Sequence, residues 1–534
     1  MSTVRHIFLL LSLFTATVRT VRAEEMPDKA LITPGRLYWA SPWLEGSNMA
    51  AHTLNTFFLT DTVSSLSHAA LTADYSEGNL RNIYTPASEV RAGASVSSYM
   101  RIRRTFLYGR FGYTYDYGQN SRWRGFADPY RSPFMLADSI PGNISRETYS
   151  MAAGAALQAG KHTSLGLLLS YGSSLLSKHK DLRNKNTVMD FSITPSVVFH
   201  TRTFRAGLDL TYSRYTEETD YTQIDESTEK YLFEIYGLWL YTSSGYSGAD
   251  HSRILISSAV SGNLTLELLL GETRIMNVLS LDYDYGSQTE TGYNNLRYGD
   301  TRTLTWSDRL ILTWGVSHRL EASAVSGQML GYRFLQRQEL DPDSGVRIWV
   351  TYGDPINSYS SLWRYADLHY TWRSARSMMQ VRWEVTAGAS WSDMSRTAKE
   401  YPVYFSQSIS SAEPYLKLAG HWYKGRSQWS ISPSVRWKHV YSSTPDHVYN
   451  VSDMEITIGE TPLQLEGPLM GEYCFLASSR IDTGLDLRYG WTVPQTRGSV
   501  LSVSAGWVMQ TALGDLMPEG AARHCTRLSI GFTF

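Results

Sequence analysis

The chain is 534 residues long yet holds only two cysteines, Cys474 and Cys525, too few for a disulfide-stapled scaffold. Past its first residues it lacks any apolar run approaching the ~20 residues that a helix needs to cross a bilayer. It lacks a charge excess as well: 49 Lys and Arg stand against 50 Asp and Glu, so there is no basic footprint and no nucleic-acid partner is expected. No His-Glu-x-x-His, nucleophile elbow or phosphate-binding glycine loop occurs. No catalytic residue, metal or cofactor is therefore expected, and the protein does not read as an enzyme.

Aromatics and glycine are what the chain does have, with 35 Tyr, 16 Trp, 17 Phe and 40 Gly. The start reads as a secretory signal over residues 1–23: Arg5 and His6, the apolar run Ile7–Phe14, and a small-residue cleavage site at Val21-Arg22-Ala23. The run is too short for an anchor, and no Cys follows to carry lipid. Removing residues 1–23 takes away Arg5, Arg19 and Arg22 and no acidic residue, which lowers the 49 basic residues to 46 against 50 acidic.

From residue 66 to 534 one pattern repeats. Met189, Phe191, Ile193, Val197 and Phe199 alternate with Asp190, Ser192, Thr194 and Ser196; Phe204, Leu208, Leu210 and Tyr212 alternate with Arg205, Asp209, Thr211 and Ser213. Trp383, Val385 and Trp391 likewise oppose Arg382, Glu384 and Ser390. Period-two alternation of this length is the signal of strands with two unlike faces. Two features select a membrane barrel over a soluble sandwich. The apolar faces end in aromatics near the turns, as interfacial girdles do, and connections alternate between short and long. Lipid offers backbone groups no partner, so such strands must close on themselves. The expected fold is all-β: a single transmembrane antiparallel up-and-down β-barrel of about 18 strands, range 16–20.

The final strand sets direction. Leu528, Ile530, Phe532 and Phe534 share the outward face, while Arg527, Ser529, Gly531 and Thr533 face the lumen. If it descends to the periplasm, short turns fall near 103–105, 159–162, 200–203, 314–317, 374–376, 421–427 and 493–498. Long loops fall outside, near 77–90, 119–147, 175–187, 214–229, 286–300, 328–360, 392–406, 441–478 and 511–522. Residues 252–286 read as one strand with an excursion or as three. Pro195, Pro414 and Pro433 interrupt strand patterns, where bulges are expected.

The segment Tyr38-Trp39-Ala40-Ser41-Pro42-Trp43-Leu44-Glu45-Gly46-Ser47-Asn48 precedes the first strand. With that aromatic motif ahead of a barrel filling the rest, the chain resembles a family of Bacteroidota outer-membrane barrels of unknown function. The resemblance implies a barrel and supplies no ligand residues. Only residues 24–65 lie ahead of the barrel, too few for the plug of a TonB-dependent receptor.

The inward parity makes the lumen charged. Asp74, Asp116, Asp190, Asp209 and Glu234, with Arg110 and Arg205, fall in the N-terminal half. Arg382, Lys417, Arg436, Lys438, Arg488 and Arg527, with Asp367, Glu384, Glu413, Asp482 and Asp486, fall in the C-terminal half, where His369 and His421 also point inward. This arrangement serves either as a transverse field on a solute path or as a salt-bridged wall. Residues 24–65 are a periplasmic tail or a small lumen plug, with Trp39 and Trp43 packing on inward aromatics such as Phe106 and Tyr108. Cys474 and Cys525 could tether two outer loops by a disulfide. Asp341-Pro342-Asp343-Ser344-Gly345 reads as a turn before a Ca²⁺ loop. The expected function is a channel or substrate-specific pore for small hydrophilic solutes, seated in outer-membrane lipid alone or beside an envelope or uptake protein. The alternative is a structural, partner- or glycan-binding barrel with an occluded lumen.

Overall fold

The computed structural model describes residues 65–534 apart from 229, 247–250, 291–295, 378–379, 401–402, 445–462, 465, 495 and 497. Residues 24–64, with Trp39 and Trp43, lie outside the described residues.

Among the described residues, twenty-two strands and one helix follow in chain order. They are β1 (Ser65–Gly78), β2 (Ser88–Ile102), β3 (Thr105–Ser121), β4 (Phe134–Ala137), β5 (Gly142–Gln158), β6 (Thr163–Lys178), β7 (Arg183–His200) and β8 (Phe204–Thr222). Next come β9 (Lys230–Tyr236), β10 (Leu240–Tyr246), β11 (His251–Leu270), β12 (Thr273–Glu290), β13 (Arg297–Trp314), β14 (His318–Leu340) and β15 (Arg347–Ser377). The chain ends with β16 (Gln380–Glu400), β17 (Val403–Lys424), β18 (Ser427–Thr444), β19 (Leu463–Gln464), helix α1 (Glu466–Ala477), β20 (Ser479–Thr492), β21 (Val500–Leu513) and β22 (Ala522–Thr533).

Eighteen of these strands form one antiparallel sheet, and four, β4, β9, β10 and β19, form a second. The large sheet closes because β1 pairs with β2 on one side and β22 on the other, with Asp74 opposite Arg91 and Arg527. The barrel therefore has 18 strands, and closure removes the free edge that lipid could not satisfy. Along β6, Leu165, Leu167 and Leu169 are exposed; along β11, Leu264, Leu266, Leu268 and Leu270; along β22, Leu528, Ile530 and Phe532. Exposed leucines in unbroken alternate rows would be an aggregation liability in water and are ordinary facing lipid. No helix among the described residues is long and apolar enough to cross a membrane.

Three local expectations change. Residues 252–286 form neither one strand nor three but parts of two, β11 and β12, joined at Gly271 and Glu272, where Gly271 takes φ +62°. The loop expected near 328–360 is mostly strand, since β14 and β15 stay paired from His318–Trp372 up to Leu340–Arg347. Only 341–346 turns. There the Asp341 carboxylate accepts from the Ser344 hydroxyl at 2.5 Å and from the Asp343 N–H at 3.4 Å.

The prolines sit without bulges. Pro195 stays in register with Leu167 of β6, but Thr194 and Pro195 have no ladder partner in β8, although pairing resumes in the same register on both sides. Pro414 keeps Ala389 and loses its rung towards β18; Pro433 keeps Leu485 and loses its rung towards β17. In an antiparallel ladder a residue's N–H serves one neighbour only, so proline leaves one gap and the other ladder holds register. The nearby irregularity, at Ser410/Ser411, is several residues away from Pro414.

Candidate functional site

The long connections do not simply leave the barrel. The segment after β3 carries β4, that after β8 carries β9 and β10, and that after β18 carries β19 and α1; these pair into the second sheet. Its side chains pack on inward faces of the wall: a Cβ at Gly299 of β13 would meet the Phe134 ring at 2.5 Å, and Tyr359 of β15 lies against Gly237. This cap at the long-loop end has its own apolar core. Trp123, Phe126, Met135, Ile235, Trp239 and Leu469 are buried in one cluster, and Phe134, Tyr236, Leu238, Leu240, Tyr359 and Phe405 in another. The second cluster takes Tyr359 and Phe405 from the wall itself, so cap and barrel share a core.

The β9–β10 hairpin is built against local preference. Gly237, Leu238 and Trp239 all have positive φ, at 96°, 45° and 60°, and the Leu240 N–H bonds to the Gly237 carbonyl at 3.1 Å. A two-residue turn with both central φ positive ordinarily takes Asn-Gly. Left-handed backbone costs a bulky residue about 1–2 kcal/mol, whereas burying a large apolar side chain stabilises by about 1.5–3 kcal/mol. Leu238 and Trp239 are both buried, Trp239 to 2% exposure, so packing outweighs conformational preference.

Polar contacts hold the cap to the wall. Glu217 on β8, at 0% exposure, accepts from the Ala127 N–H at 2.7 Å, the Asn186 amide at 2.8 Å and the Tyr215 hydroxyl at 2.5 Å. The Asn186 amide also donates to the Gly125 carbonyl at 2.8 Å, and a Cβ at Gly125 would collide with the Leu136 carbonyl oxygen. Tyr221 donates to that same Leu136 oxygen at 3.0 Å. The Arg131 guanidinium donates to Ser257 at 3.0 Å and Asp284 at 3.2 Å while lying over the Tyr215 ring. Two buried ion pairs complete the set: Lys178 with Asp138 at 2.5 Å and Arg396 with Glu472 at 3.0 Å. Burial pushes the Asp138 carboxyl above its usual range, and Lys178 opposes that. Helix α1 tolerates Pro468 in its first turn, where no intrahelical N–H is lost. Lys438 donates to the Leu476 carbonyl at 2.6 Å near its last turn, a cation placed on the negative end of the helix.

Below the cap the wall is charged, and its groups meet across strands. Arg527 pairs with Asp74 at 2.6 Å, Arg205 and Arg274 both with Glu267 at 3.2 and 3.0 Å, and Arg373 with Glu384 at 3.1 Å. A longer chain crosses β13 to β18. Glu321 pairs with Arg309 at 2.6 Å and Arg319 at 2.5 Å, and lies 3.6 Å from His369 Nε2; His369 Nδ1 meets Asp367 at 2.8 Å. Tyr415 donates to Asp367 at 3.0 Å, and Arg436 lies over Tyr415 and 3.6 Å from Glu413. Asp190, Arg382, Lys417 and Arg488 are exposed and Asp486 half-buried. Asp209 differs: it is 2% exposed, and neither carboxylate oxygen has a hydrogen-bond partner.

The structure moves several expected site residues. Glu234 is not on the wall but on β9 of the cap, accepting from Tyr236 and from Tyr298 of β13 at 2.9 and 3.1 Å. Lys438 is spent on the helix. Cys474 and Cys525 are free thiols. Cys474 sits on α1 against the Ile409–Tyr473 cluster, whereas Cys525 is in register with Ser76 of β1 and Val508 of β21. Loop polarity hid the cap: β4 and β9 are short segments between polar stretches and β10 is itself largely polar, and only the runs Phe134–Ala137 and Leu232–Ile235 could have signalled buried strand.

The molecule is an outer-membrane-type β-barrel whose own loops form a packed cap within its mouth. The chain belongs to DUF6850, a family of unknown function, whose model matches residues 56–534. No curated protein matches it. Similar solved structures include the ferric preacinetobactin receptor BauA of Acinetobacter baumannii, at 10% identity and TM-score 0.43, covering 88% of this chain and 80% of that one. The ferric yersiniabactin receptor FyuA of Yersinia pestis matches at 9% identity and TM-score 0.41, with 88% and 80% covered. A Pseudomonas aeruginosa FadL homologue matches at 10% identity and TM-score 0.31, with 88% and 90% covered.

Proposed function

We propose that this protein is a pore for small hydrophilic solutes in the outer membrane of a Gram-negative bacterium, closed at its long-loop mouth by the cap. In this reading residues 1–23 direct export and are removed, and the long loops face outward. The observation that carries it is the contrast between the two halves of the lumen. The cap and its latches are buried, whereas the wall beneath, though it buries Asp209 and Glu267, leaves Asp190, Arg382, Lys417 and Arg488 exposed, with the Arg527 side chain 70% exposed despite its pairing with Asp74. Unpaired or half-paired charge is tolerated beside water and costly in a dry interior. The purified barrel should conduct weakly in planar bilayers, and deleting residues 230–246 should raise its conductance severalfold. Absence of conductance from both forms, with the deletion variant still folded as a barrel, would sink the pore reading.

The runner-up is a structural or partner-binding barrel, and the density of buried latches on the cap favours it. A stoichiometric envelope partner recovered with the protein from intact membranes, combined with silence in bilayers, would select it.

A further inference from the structure

The inward face of the wall is buried at both ends and opens to solvent between them. Along β7, Asn184, Asn186 and Val188 are buried towards the long loops, Asp190 is exposed, and Ser196 and Val198 are buried again before the short turn. β13 repeats the pattern: Gly299 and Thr301 are buried, Thr305 and Ser307 half-buried, Ile311 and Thr313 buried. The cap accounts for the first buried zone, since its segments follow β3, β8 and β18 at the long-loop end. Among the described residues, no strand or helix outside the wall lies at the short-turn end to account for the second. We propose that residues 24–64 dock there, inside the lumen, over the arc formed by β6–β8 and β11–β13. This docking does not require the barrel to be a pore.

The arc has the composition of a covered surface. Met276 and Val278 of β12 pack with Ile311 of β13 as a buried apolar cluster, on the face opposite the exposed Leu279, Leu281 and Leu310. Apolar side chains aimed into a water-filled lumen would be hydrated, which the hydrophobic effect disfavours. Wall curvature does not bury them by itself, because Ser280 and Ser307, further up the same inward faces, stay half-buried. Nor does hydrocarbon suit as the cover. Thr265 is 0% exposed, and its hydroxyl, those of Ser164 and Ser196, and both Asp209 carboxylate oxygens are buried without a hydrogen-bond partner. Polar groups of this kind are costly against a purely apolar neighbour. A peptide brings a backbone N–H at every residue but proline, together with apolar side chains for the Met276 cluster.

Connectivity selects which peptide. β1 begins at the short-turn end, with Ser65 in register with Met100 beside the turn at Arg103 and Arg104. Leu66 shares the inward face with His68 and is buried, so residues 24–64 join the barrel at the entrance to this zone. Ten extended residues already reach about 33–36 Å, which brings the whole arc within range of the segment. Its sequence matches the surface: Leu54, Phe57, Phe58 and Leu59 supply large apolar side chains, Asn55 and Thr56 between them supply donors, and Trp39 and Trp43 stand further back.

Placing the photoreactive residue benzoylphenylalanine at Trp39 or Trp43 of the full-length protein, and irradiating intact outer membranes, tests the docking. Cross-linked peptides should map to β6–β8 or β11–β13 of the same chain. A second readout uses Ile311→Cys in a background of Cys474→Ser and Cys525→Ser. A small maleimide should label that thiol about tenfold or more faster once residues 24–58 are deleted, in a variant whose circular dichroism still shows the barrel. Labelling of Asp190→Cys, in the exposed band, should stay nearly unchanged. Cross-links to a second copy or to another envelope protein would name a different occupant and overturn the docking. So would no cross-link from either position, or equal labelling of Ile311→Cys with and without the segment. If the shortened chain does not fold, the cross-links decide alone. Neither readout involves bilayer conductance, so this docking and the pore reading fail separately.

Discussion

At the residue scale the decisive groups are those that tie cap to wall. Arg396 and Glu472 are almost fully buried partners, with side chains 9% and 3% exposed. Removing one partner of such a pair typically costs about 3–5 kcal/mol, because the other charge is stranded, whereas replacing both by apolar groups is often neutral. Arg396→Met should therefore speed hydrogen exchange of the β9–β10 amides by about a hundredfold or more, while Arg396→Met with Glu472→Leu should restore most of the protection. Equal exchange in the single variant would mean that Arg396 does not hold the cap. Trp239 makes the complementary point: its indole is bonded and its backbone left-handed, and no local sequence rule places a tryptophan there.

At the element scale the prolines are informative. Pro195 leaves Thr194 and itself unpaired towards β8 without shifting the register, so the site is a missing rung in an otherwise intact ladder. Pro195→Val should close that rung. A backbone hydrogen bond contributes about 0.5–1.5 kcal/mol, and in lipid its omission has no water to compensate it. The variant should therefore need more denaturant to unfold from bilayers, and a lower midpoint would show that the strand bends at Pro195 in a way valine cannot follow. Most short turns and the outward faces of β7, β8 and β22 were legible, because period-two patterning and turn spacing are local, whereas the loops expected near 328–360 and 392–406 are mostly strand. Bulges at the prolines were expected and are absent, since an isolated strand pattern does not reveal which of its two neighbours the missing N–H would have served.

At the scale of the whole molecule the lumen has two regimes, a packed cap and a charged wall. The wall charges largely compensate one another across strands, as Arg527 with Asp74 and Arg373 with Glu384 illustrate. A transverse field built from such neighbours is short-ranged, since opposite charges a few ångströms apart cancel within a Debye length of about 8–10 Å. In the cap-deleted pore the reversal potential in a salt gradient should accordingly lie near zero. Lys417→Glu with Arg488→Glu, which changes exposed wall residues, should shift it towards cations. Strong selectivity before substitution would contradict the compensated wall.

The sequence by itself determined the antiparallel β-barrel: alternation written along the wall strands and the spacing of the turns between them. Those features are local repeats, and closure follows from them because lipid leaves no other place for backbone hydrogen bonds. Only the tertiary structure decided what fills the mouth. The cap is assembled from segments more than 300 residues apart, as Trp123 and Leu469 are in one core. Its strands are short and its turn defies propensity, because its stability comes from contacts that exist only once the barrel has brought those loops together.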